Sequence, residues 1–449
     1  MPGPAGGPAD GLRTEEVTVP GPQPRRTRPD WLLLGSAAVL SICGVLVNAS
    51  VGGYAGDVPR WLLQLGWTAV GLGGALLLSR LDYRRLQPYA PWPYVATLLL
   101  LGLVLALPGG AETRRWLSLG PLSLQPAEPA KLAYILLAAW LLSRRGEEGP
   151  RRRDYAAIVA AALIPLGLIA VQPDLATAFV FVPLALGIGY WSGNAGWKIA
   201  ALLLPLGWSL TALTTAPAWI VALVGADFAA SPLGFVCRPW WWLGAALMIG
   251  LWVVFRKRAG RYFAGLIVAG ALGGLLLPLG WNLLKGYQQR RVLMFLDPTV
   301  DPHGAGYNSI QSRIAIGSGG FWGKGFLQGS QGQLAFLPER HTDFAFSVWA
   351  EEWGFVGSFL LVTFYVLLLW RILRAAGRAP EGFGSLICYG VAVLLAFHAF
   401  FNIGMCLGLF PVAGLPLPFV SYGGSFMLTA WLAVGLTAAV ERRSHELTL

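Results

Sequence analysis

Charge is what this chain has least of: Asp, Glu, Lys and Arg make up 12% of its 449 residues, while 55% are apolar. With apolar runs near the ~20-residue spanning length recurring throughout, that balance excludes an ordinary water-soluble enzyme and gives an all-α, polytopic helical membrane protein. Cysteine is equally scarce. Cys43, Cys237, Cys388 and Cys406 show neither paired nor metal-type spacing, which excludes a disulfide framework and reads as inert packing. No repeat with a period of tens of residues is present, so solenoid architectures drop out. No Gly-rich loop of the phosphate-cradling kind occurs, and no soluble stretch is long enough for a nucleotide-binding domain, which excludes nucleotide hydrolysis as an energy source. The net charge of +11 is not gathered into one soluble face, which excludes a nucleic-acid partner.

What is present is a series of twelve apolar spans, at 31–48, 61–79, 92–107, 126–143, 156–172, 175–191, 199–222, 240–255, 262–281, 344–370, 384–407 and 421–440. Basic residues fall on alternate connections: Arg25 to Arg28, Arg80 to Arg85, Arg144 to Arg153, Arg256 to Arg261, Arg371 to Arg378, and Arg442 with Arg443. That alternation marks one side as cytoplasmic and places both termini there. Residues 1–29, rich in Pro and Gly, read as a disordered cytoplasmic tail, and 442–449 as a second short one. The first run is long enough to be a retained anchor rather than a cleaved signal.

Between the ninth and tenth spans, 282–343 is the only long stretch without a spanning run, and parity puts it outside. It carries Arg290-Arg291, Asp297, Asp301-Pro302-His303, Gln311, Lys324 and Pro338 to Asp343. A loop of that length and polarity, inside an otherwise compact membrane protein, is expected to carry function. Asp301, His303, His341 and Asp343 lack the spacing of a recognised ligand set, so no resident metal is expected.

Ionisable groups at membrane depth point the same way. Glu128 and Lys131 share a helical face just inside the outer mouth of the fourth span, with Gln125 one turn back. A structural ion pair and a role in substrate binding both fit them. Asp174, after Gln172-Pro173, is placed to cap the sixth span, and Thr342 to cap the tenth with Asp343 in its first turn. Asp343, Ser347 and Glu351 then form one stripe facing the bundle interior. His398 and Asn402, four apart in the eleventh span, are read as an interhelical hydrogen bond without chemistry.

These segments resemble the SEDS family of cell-wall polymerases. The likeness rests on Arg115-Trp116-Leu117, Gln125 to Lys131 and Gln172 to Leu175, then on Asp297-Pro298, Asp301-Pro302, Gly304, Gly306 and Gln311. It continues through Ile314 to Gly320, Gly323-Lys324-Gly325, Phe336 to Phe344, Glu351-Glu352 and Pro416 to Ser425, in the same order along most of the chain. Asn402 to Met405 and Pro411 to Gly414 resemble the elongation branch more than the division branch. The chain departs from the pattern at Ala176, where Gly is usual, and in its twelve spans where the family has ten. The surplus is assigned to a helix pair inserted within 199–255.

The resemblance implies a peptidoglycan glycosyltransferase that polymerises lipid II, a sugar–peptide on undecaprenyl pyrophosphate, at the outer face of the cytoplasmic membrane. It implies Asp301 as general base. Arg115, Lys131, Lys324 and Arg291 become candidates to hold the pyrophosphate, and Glu128 and Gln311 to bind substrate. His341 and Asp343 are placed either to orient sugar or to close the loop. No cofactor beyond a divalent cation riding on the substrate pyrophosphate is expected, and the implied partner is a class B penicillin-binding protein, a transpeptidase. A flippase or transporter of a lipid-linked precursor, using Glu128, Lys131 and Asp343 as a charged path, is the alternative, and a non-catalytic scaffold the third.

Overall fold

The computed structural model of the chain describes residues 30–52, 54–55, 58–107, 115–119, 122–193, 306–330 and 337–447. Asp297, Asp301, His303, Arg291, Cys237 and the runs 199–222, 240–255 and 262–281 lie outside the described residues. Among those described, six helices are long and apolar enough to cross a membrane, or seven if one bent pair is a single span.

Helices α1 (Trp31–Val51) and α2 (Arg60–Arg80) are joined by a two-stranded ladder, β1 (Tyr54–Ala55) on β2 (Val58–Pro59), with Tyr54 opposite Pro59. A 3₁₀ turn at Tyr83–Tyr89 meets α3 (Pro91–Ala106) at 59°; Pro91 suits the first helical position, where no backbone N–H is needed. A second ladder, β3 (Leu117–Leu119) on β4 (Leu122–Leu124), leads into α4 (Ala127–Ser143), then α5 (Arg152–Val171). The sixth apolar run is broken into α6 (Leu175–Phe179) and α7 (Phe181–Trp191). Then come α8 (Tyr307–Gly319), α9 (Ala345–Arg378), α10 (Gly382–Cys406) and α11 (Gly424–Leu447).

Without water in the bilayer, helices associate through close packing, and small residues set the approach. Gly71 of α2 lies under Trp431 of α11, and Gly435 of α11 sits on the backbone of Ala75, so α2 and α11 pack along their length. Helix α10 runs through the middle, against α4, α7, α9 and α11. Cys43, Cys388 and Cys406 are buried free thiols in this packing.

The long stretch before α9 is not all loop, because α8 occupies part of it and buries Ser312, Ala315 and Gly319 against its neighbours. Ser312 Oγ donates to Cys406 O at 2.7 Å, so α8 rests on the end of α10. Helix α9 kinks at Gly354 (φ 63°), where backbone groups leave the helical ladder. The segment after α8 takes them up: Lys324 N and Gly325 N donate to Glu351 O and Glu352 O at 3.0 and 2.9 Å. Phe355 N and Val356 N donate to Gly320 O and Phe321 O at 2.9 and 3.2 Å.

Two expectations about α9 are corrected. The helix starts at Ala345, after Phe344, so Thr342 does not cap it and Asp343 is not in its first turn; Thr342 Oγ1 instead meets Glu339 O and Oε2 at 3.2 and 3.1 Å. The helix also runs to Arg378, so Arg371, Arg374 and Arg378 are helical rather than loop residues. Arg371 is ion-paired with Asp30 at 2.5 Å and Glu441 at 3.0 Å, which ties the start of α1, the end of α9 and the end of α11 together.

That cluster defines one end of the bundle. Arg84–Glu381, Arg443–Asp82 and the pairing of Asp154 with Arg144 and Arg145 lie on connections of the same set. The connections that alternate with them meet at the opposite end, where the cavity lies.

Candidate functional site

A cavity of about 720 Å³ opens at that opposite end. Its polar side is built where helices begin: Gln125 and Glu128 at the start of α4, Asp174 at α6, Thr342 and Asp343 before α9, and Gly423 and Ser425 at α11. Unpaired backbone N–H groups at helix starts favour negative charge in the space they face. The other side is apolar, formed by Leu175, Ala176, Phe179, Phe401 and the segment Pro411 to Pro416. Phe179 is 53% exposed and Leu175 40%, so the apolar wall continues onto the outer flank of the bundle.

The geometry of the polar side follows from a few hydrogen bonds. Asp174 caps α6 as its position after Pro173 predicts, accepting from Thr177 N at 3.3 Å. Its second oxygen meets Gln125 Nε2 at 3.5 Å and Arg115 at 3.9 Å. Arg115 itself is held by Gln172 O at 3.0 Å and Pro173 O at 2.7 Å, which aims its guanidinium along the cavity wall. Ser425 Oγ accepts from Gln125 N at 3.0 Å and donates to Ser123 O, joining α11 to β4.

Beneath the cavity floor, Lys131 and Glu128 form a buried pair, with Nζ at 2.9 Å from both carboxylate oxygens. A third group completes it. His398 Nδ1 lies 3.2 Å from Pro416 O, a carbonyl that can only accept, so Nδ1 carries the hydrogen and bare Nε2 accepts from Lys131 at 3.1 Å. Lys131 therefore spends all three of its N–H groups on Glu128 and His398, and its charge also lies 5.3 Å from the centre of the Phe426 ring. Its N–H groups are thus engaged within the protein, and of the pair it is Glu128 that lines the cavity.

Lys324 does not line the cavity. Its Nζ is 2.6 Å from Glu351 and 2.8 Å from Ser330 Oγ, so its charge is neutralised by the α9 stripe. Ser347 and Glu351 of that stripe are buried, as expected of an inward face. Gln311, half-buried on α8, is likewise outside the lining. Asp343 lines the cavity, and its carbonyl accepts from Asn402 Nδ2 at 2.8 Å, which makes Asn402 the interhelical tie its position suggests. His341 stands one layer back, its ring 5.9 Å from that of Tyr422, which does line the cavity. Burial, with Arg60 and Arg340 nearby, holds the His341 imidazole below its usual 6.5.

The arrangement presents one guanidinium and four carboxylates (Glu128, Asp174, Glu339 and Asp343) facing an apolar wall, a shape for a molecule with a charged head and a lipid tail. Known proteins place it. The model of the FtsW, RodA and SpoVE proteins, described as cell cycle protein, matches residues 30–227 and 242–446. The chain belongs to this family.

Within the family, the peptidoglycan glycosyltransferase RodA of Treponema pallidum is 34% identical, over 92% of this chain and 98% of its own length. The peptidoglycan glycosyltransferase MrdB of Escherichia coli K12 is 33% identical, over 94% and 95%. A chain from a solved peptidoglycan synthase complex that coordinates polymerization and crosslinking is 32% identical, with a TM-score of 0.63 over 93% of this chain and 98% of that one. The match to the family breaks at 228–241, at the connection between the runs 199–222 and 240–255.

Three contributors are not legible as site residues in the sequence. His398 was set apart from any site, yet it is the third member of the Lys131 cluster. Tyr422 and Glu339 entered only as members of motifs, and only the folded chain shows them at the cavity.

Proposed function

We infer that this chain is a peptidoglycan glycosyltransferase, which polymerises lipid II into glycan strands from the outer side of the cytoplasmic membrane. One observation carries the reading: the cavity is polar where the helices start and apolar where it meets the outer flank, so a sugar pyrophosphate and its prenyl chain can lie in one continuous site. The end bearing the basic connections then faces the cytoplasm, with both termini, and the cavity faces outward.

In this reading Asp301 takes the proton from the acceptor 4-hydroxyl as that oxygen attacks the donor's anomeric carbon. The bond to pyrophosphate breaks, the pyrophosphate leaves with the bonding electrons, and the linkage inverts from α to β. Arg115 stands where it can stabilise charge on the leaving group, and Glu128, fixed by Lys131, presents a carboxylate to the sugar. With four carboxylates in the described lining, a pyrophosphate that arrives with a divalent cation is better matched than a bare one. Elongation rather than division is the assigned setting, and a class B penicillin-binding protein the partner that crosslinks the strand. The likeness to a chain of a peptidoglycan synthase complex supports that pairing.

Purified protein in liposomes, given lipid II with and without that partner, tests the reading. Glycan ladders on a gel are expected. Lipid II that reaches the other leaflet unpolymerised would make the chain a transporter, which the Asp30–Arg371–Glu441 cluster across the opposite end argues against.

A further inference from the structure

At the cavity end, Arg60 and Arg340 have no carboxylate partner among the described residues. Arg60 opens α2, and Arg340 follows Glu339 in the segment before α9; neither takes part in any of the ion pairs found there. Arg340 Nη2 reaches Val51 O at 3.4 Å, but its Nη1 is buried with no hydrogen-bond partner. A buried guanidinium nitrogen left unpaired is costly unless something else binds it.

The two arginines converge. Gln64, four residues after Arg60 and on the same helical face, donates to Ser421 O at 3.1 Å. The next residue, Tyr422, donates its N–H to His341 O at 2.8 Å, so Arg60 overhangs the Tyr422–His341 contact that Arg340 adjoins in sequence. The fields agree with this placement, since Arg60 lowers the affinity of both Arg340 and His341 for protons. Glu339, the acid next to Arg340 in sequence, has an oxygen 3.1 Å from Thr342 Oγ1. Tyr422 and Glu339 line the cavity, so the arginines stand at its rim. Beside Arg60, Trp61, Leu62 and Leu65 are exposed on α2, as a flank turned to lipid would be.

We propose that Arg60 and Arg340 form an anion site at the rim of the cavity, which takes a phosphate carried on a lipid. Two guanidinium groups that converge on one rim can both donate to the oxygens of a single phosphate, and the exposed apolar flank supplies a surface for the tail. Lys131 and Lys324 are neutralised by carboxylates, whereas among the described residues neither Arg60 nor Arg340 is in an ion pair. The phosphate has two sources: the pyrophosphate of a prenyl carrier, which rests on the polymerase reading, or an anionic bilayer phospholipid, which does not.

The full chain in phosphatidylcholine nanodiscs, titrated separately with undecaprenyl pyrophosphate and with phosphatidylglycerol, decides between them. Arg60→Gln and Arg340→Gln are each expected to weaken binding of at least one probe about tenfold, with Arg→Lys variants intermediate because charge is kept and the fork is lost. Loss confined to the pyrophosphate assigns the site to the carrier; loss confined to phosphatidylglycerol assigns it to the bilayer. Unchanged affinity for both probes in both variants, or no binding of either by the unaltered protein, overturns the site. If a Gln variant does not fold, its Lys counterpart carries the comparison, and wild-type affinity there also overturns it. Lipid binding through these arginines without glycan synthesis would sink the polymerase reading and leave the site standing.

Discussion

Lys131 shows how much one side chain can settle. Its three N–H groups are taken by Glu128 and His398, so removing it strips a buried carboxylate of its cation rather than emptying a substrate subsite. Breaking such a pair from one side costs about 3–5 kcal/mol. Lys131→Met should therefore lower the melting temperature sharply, and Glu128→Gln with Lys131→Met should recover most of that loss. If the Glu128 carboxylate serves substrate, the recovered double variant still makes no glycan; full polymer from it would reduce the pair to scaffold. His341 supplies a second test. Its imidazole is held below 6.5 by burial, Arg60 and Arg340, with Glu339 opposing them and the Tyr422 ring tilted alongside. On acidification the unfolded chain takes up this proton first, so stability is lost as pH falls from about 6.5 through the lower folded value. Thermal melts across that window should show a slope that His341→Asn removes; the same slope in the variant would contradict the assignment.

Among elements, the kink in α9 carries the most structure for its size. Gly354 adopts φ 63°, ψ −159°, and a Cβ there would collide with Gly323 N and the carbonyl of Phe321. Gly354→Ala should cost about 1–3 kcal/mol in backbone strain alone and release the 320–325 segment from α9. Hydrogen exchange at Lys324 and Gly325, whose N–H groups bond to Glu351 and Glu352, reads this directly: faster exchange is expected, and wild-type protection would contradict it. Here lies the boundary of what the sequence could say. Glu128 and Lys131, three apart at membrane depth, are legible as one face of a helix, and Asp174 as a cap after Pro173. Lys324 reads as a free cation because nothing local shows that Glu351, in another element, folds back onto it. His398 reads as a lone polar residue because Lys131, its partner, lies 267 residues away. The helix α9 starts two residues later than Thr342 suggests because the N–H groups of Thr342, Asp343 and Phe344 all turn back onto Glu339 O.

For the whole molecule, alternation of basic connections foretold a two-ended bundle, and the described residues form one: the basic connections and the Asp30–Arg371–Glu441 cluster at one end, the cavity at the other. Low charge and recurrent apolar runs made the helical membrane class legible, since continuous runs of about 20 apolar residues satisfy their backbone in lipid as helices. The shape of the cavity was not legible, because its wall is assembled from segments as distant as Arg115, Asp174, Asp343 and Pro411. A polymerase assembled this way depends on a base beside that cavity, and Asp301 is the residue assigned to it. The most direct test is the initial rate of lipid II polymerisation by purified, membrane-reconstituted Asp301→Asn against the unaltered protein. The account predicts a loss of about 10²-fold or more at unchanged membrane insertion; a rate within a few-fold of the unaltered protein would contradict it.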